Sequence, residues 1–209
     1  SSDNTAKIAE NCGATVIRKN KNMGYAHSCV MGLKKSLETD ANIIALTEAD
    51  GTYAGRDLEK MILYLENIDM VIGTREIQVL SEKGNQNKMF YVWGNFLLAK
   101  LLQIKFFSLQ HMGIVSLTDV GCSYRCISRE ALAKIITQFT DSETGEVIVK
   151  PKSGLFALFM TMLGIKNDLR VVEIPITFKK RIGISKTESD KKSKAIRYAL
   201  EFFWFILYS

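Results

Sequence analysis

Short runs of β-branched and apolar residues alternate along this chain with segments whose apolar residues recur at helical spacing. That alternation limits its fold more than any other feature. Residues 14–18 (ATVIR), 42–47 (NIIALT) and 69–73 (DMVIG) read as strands. Between the first two, Ala26, Cys29, Val30, Leu33 and Leu37 share one helical face. Between the second and third, Leu58, Met61, Ile62 and Leu65 do the same. Parallel strands need such crossovers. The expected class is therefore α/β, with a mostly parallel central sheet flanked by helices.

The second half is less regular. Residues 89–107 predict a long apolar helix interrupted at Gly94 and Asn95. Residues 123–127 predict a strand, 129–139 a helix, 141–152 a loop and 155–163 a helix. The run 169–178 (LRVVEIPITF) predicts a strand, which Pro175 assigns to a strand end or sheet edge.

The length of 209 residues suits one domain, and 47% hydrophobic with 24% charged residues argues against disorder. Lys and Arg outnumber Asp and Glu by 28 to 22, so a phosphate-bearing or anionic partner is expected. Cys12, Cys29, Cys122 and Cys126 match no zinc-ligand spacing and read as reduced core thiols. The chain shows no signal peptide and no apolar run near the roughly 20 residues that span a bilayer. It opens on Ser-Ser-Asp-Asn-Thr without Met, and reads as a piece of something longer.

The strand at 42–47 runs straight into Glu48-Ala49-Asp50-Gly51. Alternate strand residues point the same way, so Glu48 and Asp50 can share a face where α/β sheets collect ligands. Two hard oxygen donors there suit Mg²⁺ or Mn²⁺ held together with substrate phosphates. Gly51 would let the backbone approach the ligand. The pair alone fits a solvated turn or a helix N-cap region better than a metal site.

The pair has company. Ser2-Asp3-Asn4-Thr5, Asn22-Met23-Gly24-Tyr25-Ala26, Glu48-Ala49-Asp50 with Gly51-Thr52-Tyr53, and Glu173-Ile174-Pro175 followed by Arg181-Ile182-Gly183-Ile184-Ser185-Lys186 occur in that order. Gly73-Thr74-Arg75 and Asp119-Val120-Gly121-Cys122-Ser123-Tyr124-Arg125 lie between them. Together they resemble the inverting family-two glycosyltransferases, most closely in pattern the dolichyl- and polyprenyl-phosphate sugar synthases. Glu48 stands where many members carry the first Asp of the DXD metal motif.

The resemblance implies a GT-A-type nucleotide-sugar-binding fold whose first strands lie upstream of Ser1. It also implies a nucleotide-sugar donor, a lipid-phosphate acceptor and a metal (Mg²⁺ or Mn²⁺) on Glu48 and Asp50. Asn22, Gly24, Gly51, Arg125, Ser185 and Lys186 would then bind donor or acceptor. Arg75 and Arg181 would supply positive charge near the phosphates. Asp119 would act as general base toward a hydroxyl, or only orient Arg125 or the acceptor, because a phosphate acceptor needs no strong base.

Residues 1–178 are read as the catalytic domain and 179–209 as a basic loop followed by an amphipathic segment. The latter either packs on the domain or contacts a membrane surface, and a peripheral position at the cytosolic face is expected. Transfer to a saccharide or protein hydroxyl, and a non-catalytic membrane-associated module, are the alternatives. No nucleic-acid motif accompanies the basic run, so nucleic acid is not an expected partner.

Overall fold

A computed structural model describes residues 3–76, 80–82, 89–109, 116–148, 154–182 and 192–209. Four strands, β1 (Ile43–Leu46), β2 (Met70–Thr74), β3 (Arg125–Ser128) and β4 (Val171–Pro175), form one sheet in the order β1-β3-β2-β4. Among the described residues seven α-helices flank it: α1 (Thr5–Asn11), α2 (Tyr25–Ser36), α3 (Asp57–Tyr64), α4 (Met89–Lys105), α5 (Arg129–Ile135), α6 (Leu155–Lys166) and α7 (Lys192–Tyr208).

Strands β1, β2 and β4 point the same way, and β3 runs against them between β1 and β2. Three of the four strands are thus parallel in direction, while both ladders that β3 makes are antiparallel. The reversal matters for function. Arg125, at the start of β3, is in register with Leu46 at the end of β1 and with Ile72 near the end of β2. Thr74 is in register with Pro175 at the end of β4. The segments after β1, β2 and β4 and the segment before β3 therefore meet at one edge of the sheet.

The core follows the periodicities. Ala26, Cys29, Val30 and Leu33 of α2 are buried, and Leu37 packs against them. Every residue of α6 from Leu155 to Gly164 is buried, and burying each large side chain there contributes about 1.5–3 kcal/mol. A Cβ on Gly164 would stand 2.6 Å from Met70 Cε, so glycine lets α6 lie close against β2. Pro175 ends the edge strand β4, as its missing N–H demands.

Four expectations differ. Cys12, read as a core thiol, is exposed, while Cys29, Cys122 and Cys126 are buried. Residues 14–18 form no strand, and Ile17 is 40% exposed. A strand is held by its ladder, and no described segment pairs with this one. Helix α4 runs unbroken through Gly94 and Asn95. The glycine costs about 1 kcal/mol of helix propensity, which packing overrides. On α3, Met61 is buried but Ile62 is exposed, so its apolar face is narrower than the spacing suggested.

Candidate functional site

The loop leaving β1 carries the two acids. Asp50 Oδ1 accepts hydrogen bonds from the Thr52 backbone N–H (3.0 Å) and hydroxyl (2.5 Å), which fixes the carboxylate in an Asx turn. Gly51 then takes φ +78°, a left-handed conformation that favours glycine. The Ile182 N–H donates to the Asp50 carbonyl at 2.9 Å, and a Cβ at position 51 would lie 2.8 Å from Ile182 Cδ1. In this structure the Ile182 side chain of the basic segment after β4, not a ligand, lies against Gly51.

Both carboxylates converge on that segment. Arg181 Nη2 lies 2.7 Å from Asp50 Oδ2 and 3.5 Å from Glu48 Oε2. Asp50 Oδ2 is buried, and Arg181 faces it as a charge without hydrogen-bond geometry. Glu48 Oε1 accepts from the Ser123 hydroxyl at 2.7 Å and the Tyr25 hydroxyl at 3.5 Å. Burial pushes the Asp50 carboxyl up, but the Thr52 hydrogen bonds and the Arg181 charge outweigh it, and its pKa sits below the usual carboxylate value.

This donor set fits a hard divalent cation. Two carboxylate oxygens aim at one place already favourable to positive charge, and one of them is buried without a hydrogen bond. Among the described residues no group of three or more His, Cys, Asp or Glu could hold a metal. Glu48 and Asp50 could supply two ligands, and phosphate oxygens and water would complete the shell, as is usual for Mg²⁺.

A second cluster lies along the same edge. Asp119 is buried and forms a bidentate pair with Arg75, whose Nε and Nη2 lie 2.6 and 2.7 Å from its oxygens. The backbone N–H groups of Arg75 and Gly121 and the Asn95 amide also donate to it. Burial pushes Asp119 up, yet Arg75 holds its pKa below the ordinary value. Burial would lower Arg75, and Asp119 instead raises it. Glu173 supports this arrangement from β4 by accepting from the Thr118 N–H and hydroxyl and from the Asp119 N–H, at 2.7–2.8 Å. The Arg75 guanidinium also sits 5.3 Å over the Phe178 ring. Segment 119–123 joins the two clusters, since Asp119 holds Arg75 at one end and Ser123 holds Glu48 at the other.

Of the expected site residues, Glu48, Asp50, Gly51 and Arg181 come together, and Arg75 pairs with Asp119 beside them. Asn22 accepts from the Gly24 N–H at 2.9 Å, and Gly24 starts α2 at φ +88°. Their turn places Tyr25, the next residue, on Glu48. Ser185 and Lys186 lie outside the described residues.

Arg125, expected to bind donor or acceptor, is 1% exposed and cannot reach a ligand. Its guanidinium donates to the Cys122 and Ala157 carbonyls and the Thr161 hydroxyl, tying segment 119–123 to α6. Arg125→Ala should therefore lower stability by about 1–3 kcal/mol, because buried carbonyls lose their donors, and leave nucleotide affinity unchanged. Chemical denaturation and nucleotide titration of the folded protein check this. A lost affinity at full stability would restore the ligand role.

Sequence reasoning missed Asn95, Ser123, Tyr25 and the support from Glu173. By sequence, Asn95 reads as a helix interruption. A polar residue in an apolar helix that the chain nonetheless completes was the available signal.

The model of glycosyl transferase family 2 matches residues 1–136. Polyprenol monophosphomannose synthase of Mycolicibacterium smegmatis is 25% identical over 183 residues, covering 87% of this chain and 62% of that protein. Undecaprenyl-phosphate mannosyltransferase of Micrococcus luteus is 23% identical over 193 residues, covering 91% of this chain and 71% of that protein. A solved structure of glucosyl-3-phosphoglycerate synthase from Mycobacterium tuberculosis, in complex with Mn²⁺, uridine-diphosphate and phosphoglyceric acid, matches with a TM-score of 0.56. It is 13% identical, and the match covers 99% of this chain and 63% of that one. The likeness establishes a shared GT-A-type fold. This chain spans 62%, 71% and 63% of the lengths of these three proteins.

Proposed function

This chain belongs to glycosyl transferase family 2, and from that membership we propose that it moves a sugar, with inversion, from a nucleotide-diphosphate donor to a polyprenyl phosphate. The observation that carries this is the convergence of Glu48 and Asp50 on one cation-favouring point at the sheet edge where α/β folds take ligands. A bound Mg²⁺ or Mn²⁺ would neutralise charge on the leaving nucleoside diphosphate. Asp50, held by Thr52, and Glu48, held by Ser123, would hold it. Arg181 meets the phosphates, and Asp119 fixes Arg75 beside them.

Two observations favour a phosphate acceptor. The curated relatives are named for polyprenol and undecaprenyl-phosphate mannosyl transfer. Both oxygens of Asp119 are engaged by Arg75, Gly121 and Asn95, so this carboxylate is ill placed to take a proton from a hydroxyl. A phosphate acceptor is already anionic and needs no such base. Residues 1–178 are the catalytic domain in this reading, and 179–209 bring it to the lipid.

No helix among the described residues is long and apolar enough to cross a membrane. Helices α4 and α7 nevertheless leave Trp93, Leu97, Ile104, Phe203, Trp204 and Leu207 exposed. The two helices touch where Lys105 donates to the Ile206 carbonyl. Exposed aromatics on adjoining helices suit a lipid surface. Trp204 is 52% exposed, so Trp204→Asp should spare the fold and weaken partition to anionic vesicles by about tenfold, measured by cosedimentation. Unchanged partition would remove α7 from the contact.

The test of the proposal uses the full-length protein. Labelled nucleotide sugars are screened with membrane lipid extract, and label should enter the lipid phase only with Mg²⁺ or Mn²⁺. Label appearing solely on a water-soluble product would overturn the lipid acceptor while keeping the transfer.

A further inference from the structure

Two arginine–carboxylate pairs sit at this edge, and they are built differently. Arg75 and Asp119 are locked: the contact is bidentate, and the side chains are 12% and 0% exposed. Arg181 is 40% exposed and touches both Asp50 and Glu48 through the same Nη2. Its 2.7 Å approach to Asp50 Oδ2 lacks hydrogen-bond geometry. The first pair is a fixture; the second consists of one long hydrogen bond, from Arg181 Nη2 to Glu48 Oε2 at 3.5 Å, and a charge contact with Asp50 Oδ2.

We propose that Arg181 is a placeholder cation, which neutralises the Glu48–Asp50 pair until a divalent metal displaces it and frees its guanidinium for the donor phosphates. This rests on the metal-site reading given above. Mg²⁺ sits about 2.1 Å from its oxygen ligands. A guanidinium at 2.7 Å from the same Oδ2 would then face the ion at close range, and two positive charges do not share that space.

The exit route is the side chain rather than the backbone. The segment carrying Arg181 is pinned on both sides. The Lys179 N–H donates to the Thr52 carbonyl at 2.8 Å, the Lys180 N–H to Glu82 Oε2 at 2.7 Å, and the Ile182 N–H to the Asp50 carbonyl at 2.9 Å. The partly exposed side chain can rotate while these bonds persist. An adjoining cleft of about 500 Å³ is lined by Gly51, Arg56, Glu82, Lys179, Lys180 and Ile182 among others, three cations against one acid. A freed Arg181 would add a further cation there, on a surface suited to phosphate. Metal loading thus converts an internal counter-ion into a substrate ligand. Without the placeholder, two carboxylates facing one point would repel.

The experiment titrates Mn²⁺ alone into the complete protein, then Mn²⁺ with a nucleoside diphosphate, by calorimetry. Wild type, Arg181→Gln and Asp50→Asn are compared. Arg181→Gln should bind Mn²⁺ alone about fivefold more tightly, the factor a partly exposed ion pair contributes. It should bind the Mn²⁺-dependent nucleotide more weakly. Equal or weaker binding of Mn²⁺ alone by Arg181→Gln, with Asp50→Asn still defective, overturns the placeholder and leaves the metal site standing. Equal Mn²⁺ binding by all three proteins overturns the metal site and the placeholder together. Circular dichroism confirms that each variant is folded.

Discussion

Asp50→Asn is expected to lower turnover by about 10³-fold and to abolish the Mn²⁺ dependence of nucleotide binding, while the protein stays folded. The size follows from what a Lewis acid supplies at a departing diphosphate, several kcal/mol of charge stabilisation. The fold survives because Asn keeps an oxygen that can accept from the Thr52 N–H and hydroxyl, so the Asx turn into Gly51 is retained. What is lost is the charge on Oδ2, the buried oxygen with no hydrogen bond. Glu48→Gln should cost less, since Gln can still accept from Ser123 and Tyr25. An Asp50→Asn protein that bound nucleotide with undiminished Mn²⁺ dependence would falsify the metal assignment.

Asp119→Ala should destabilise the chain by about 3–5 kcal/mol, since it strands the Arg75 charge in a buried setting. For a chain of this size that corresponds to a melting temperature about 6–20 °C lower. Arg75→Met combined with Asp119→Leu should recover much of the loss, because the uncompensated charge goes with its partner.

The pH dependence has a definite sign. Burial alone would raise the Asp119 pKa, but Arg75 depresses it below its unfolded value of about 3.9. The pair's contribution is therefore complete above about pH 4 and is lost as pH falls through the folded pKa. Scanning calorimetry between acid and neutral pH checks both effects. A melting point for Asp119→Ala close to wild type, with activity gone, would mean that Asp119 works on the substrate and not on Arg75.

Much of the scaffold was legible because burial imposes a period. Strands β1, β2 and β4 and helix α2 stood out because their apolar residues must face one core, and nothing later in the chain alters that spacing. Residues 14–18 carry the same β-rich composition and form no strand, because a strand is a property of a pair of segments. The path of α4 through Gly94 and Asn95 was hidden for a related reason. A helix-weakening residue is tolerated when its side chain is needed elsewhere, and Asn95 reaches Glu76 and Asp119. Arg125 misled because an arginine inside a motif looks like a ligand-binding group, and only its burial beneath segment 119–123 shows it holding carbonyls.

The amino-acid order alone determined the α/β class, the acid pair at the end of β1 and the family resemblance, because each is read from short local runs and their order along the chain. Which side chains meet was decided by tertiary structure. Strand β3 runs against its neighbours and so carries the residues before it to the edge where β1, β2 and β4 end. That reversal brings Ser123 to Glu48 and Asp119 to Arg75, contacts spanning 75 and 44 positions. Strand direction is set by the packing of the whole sheet, and no local pattern encodes it.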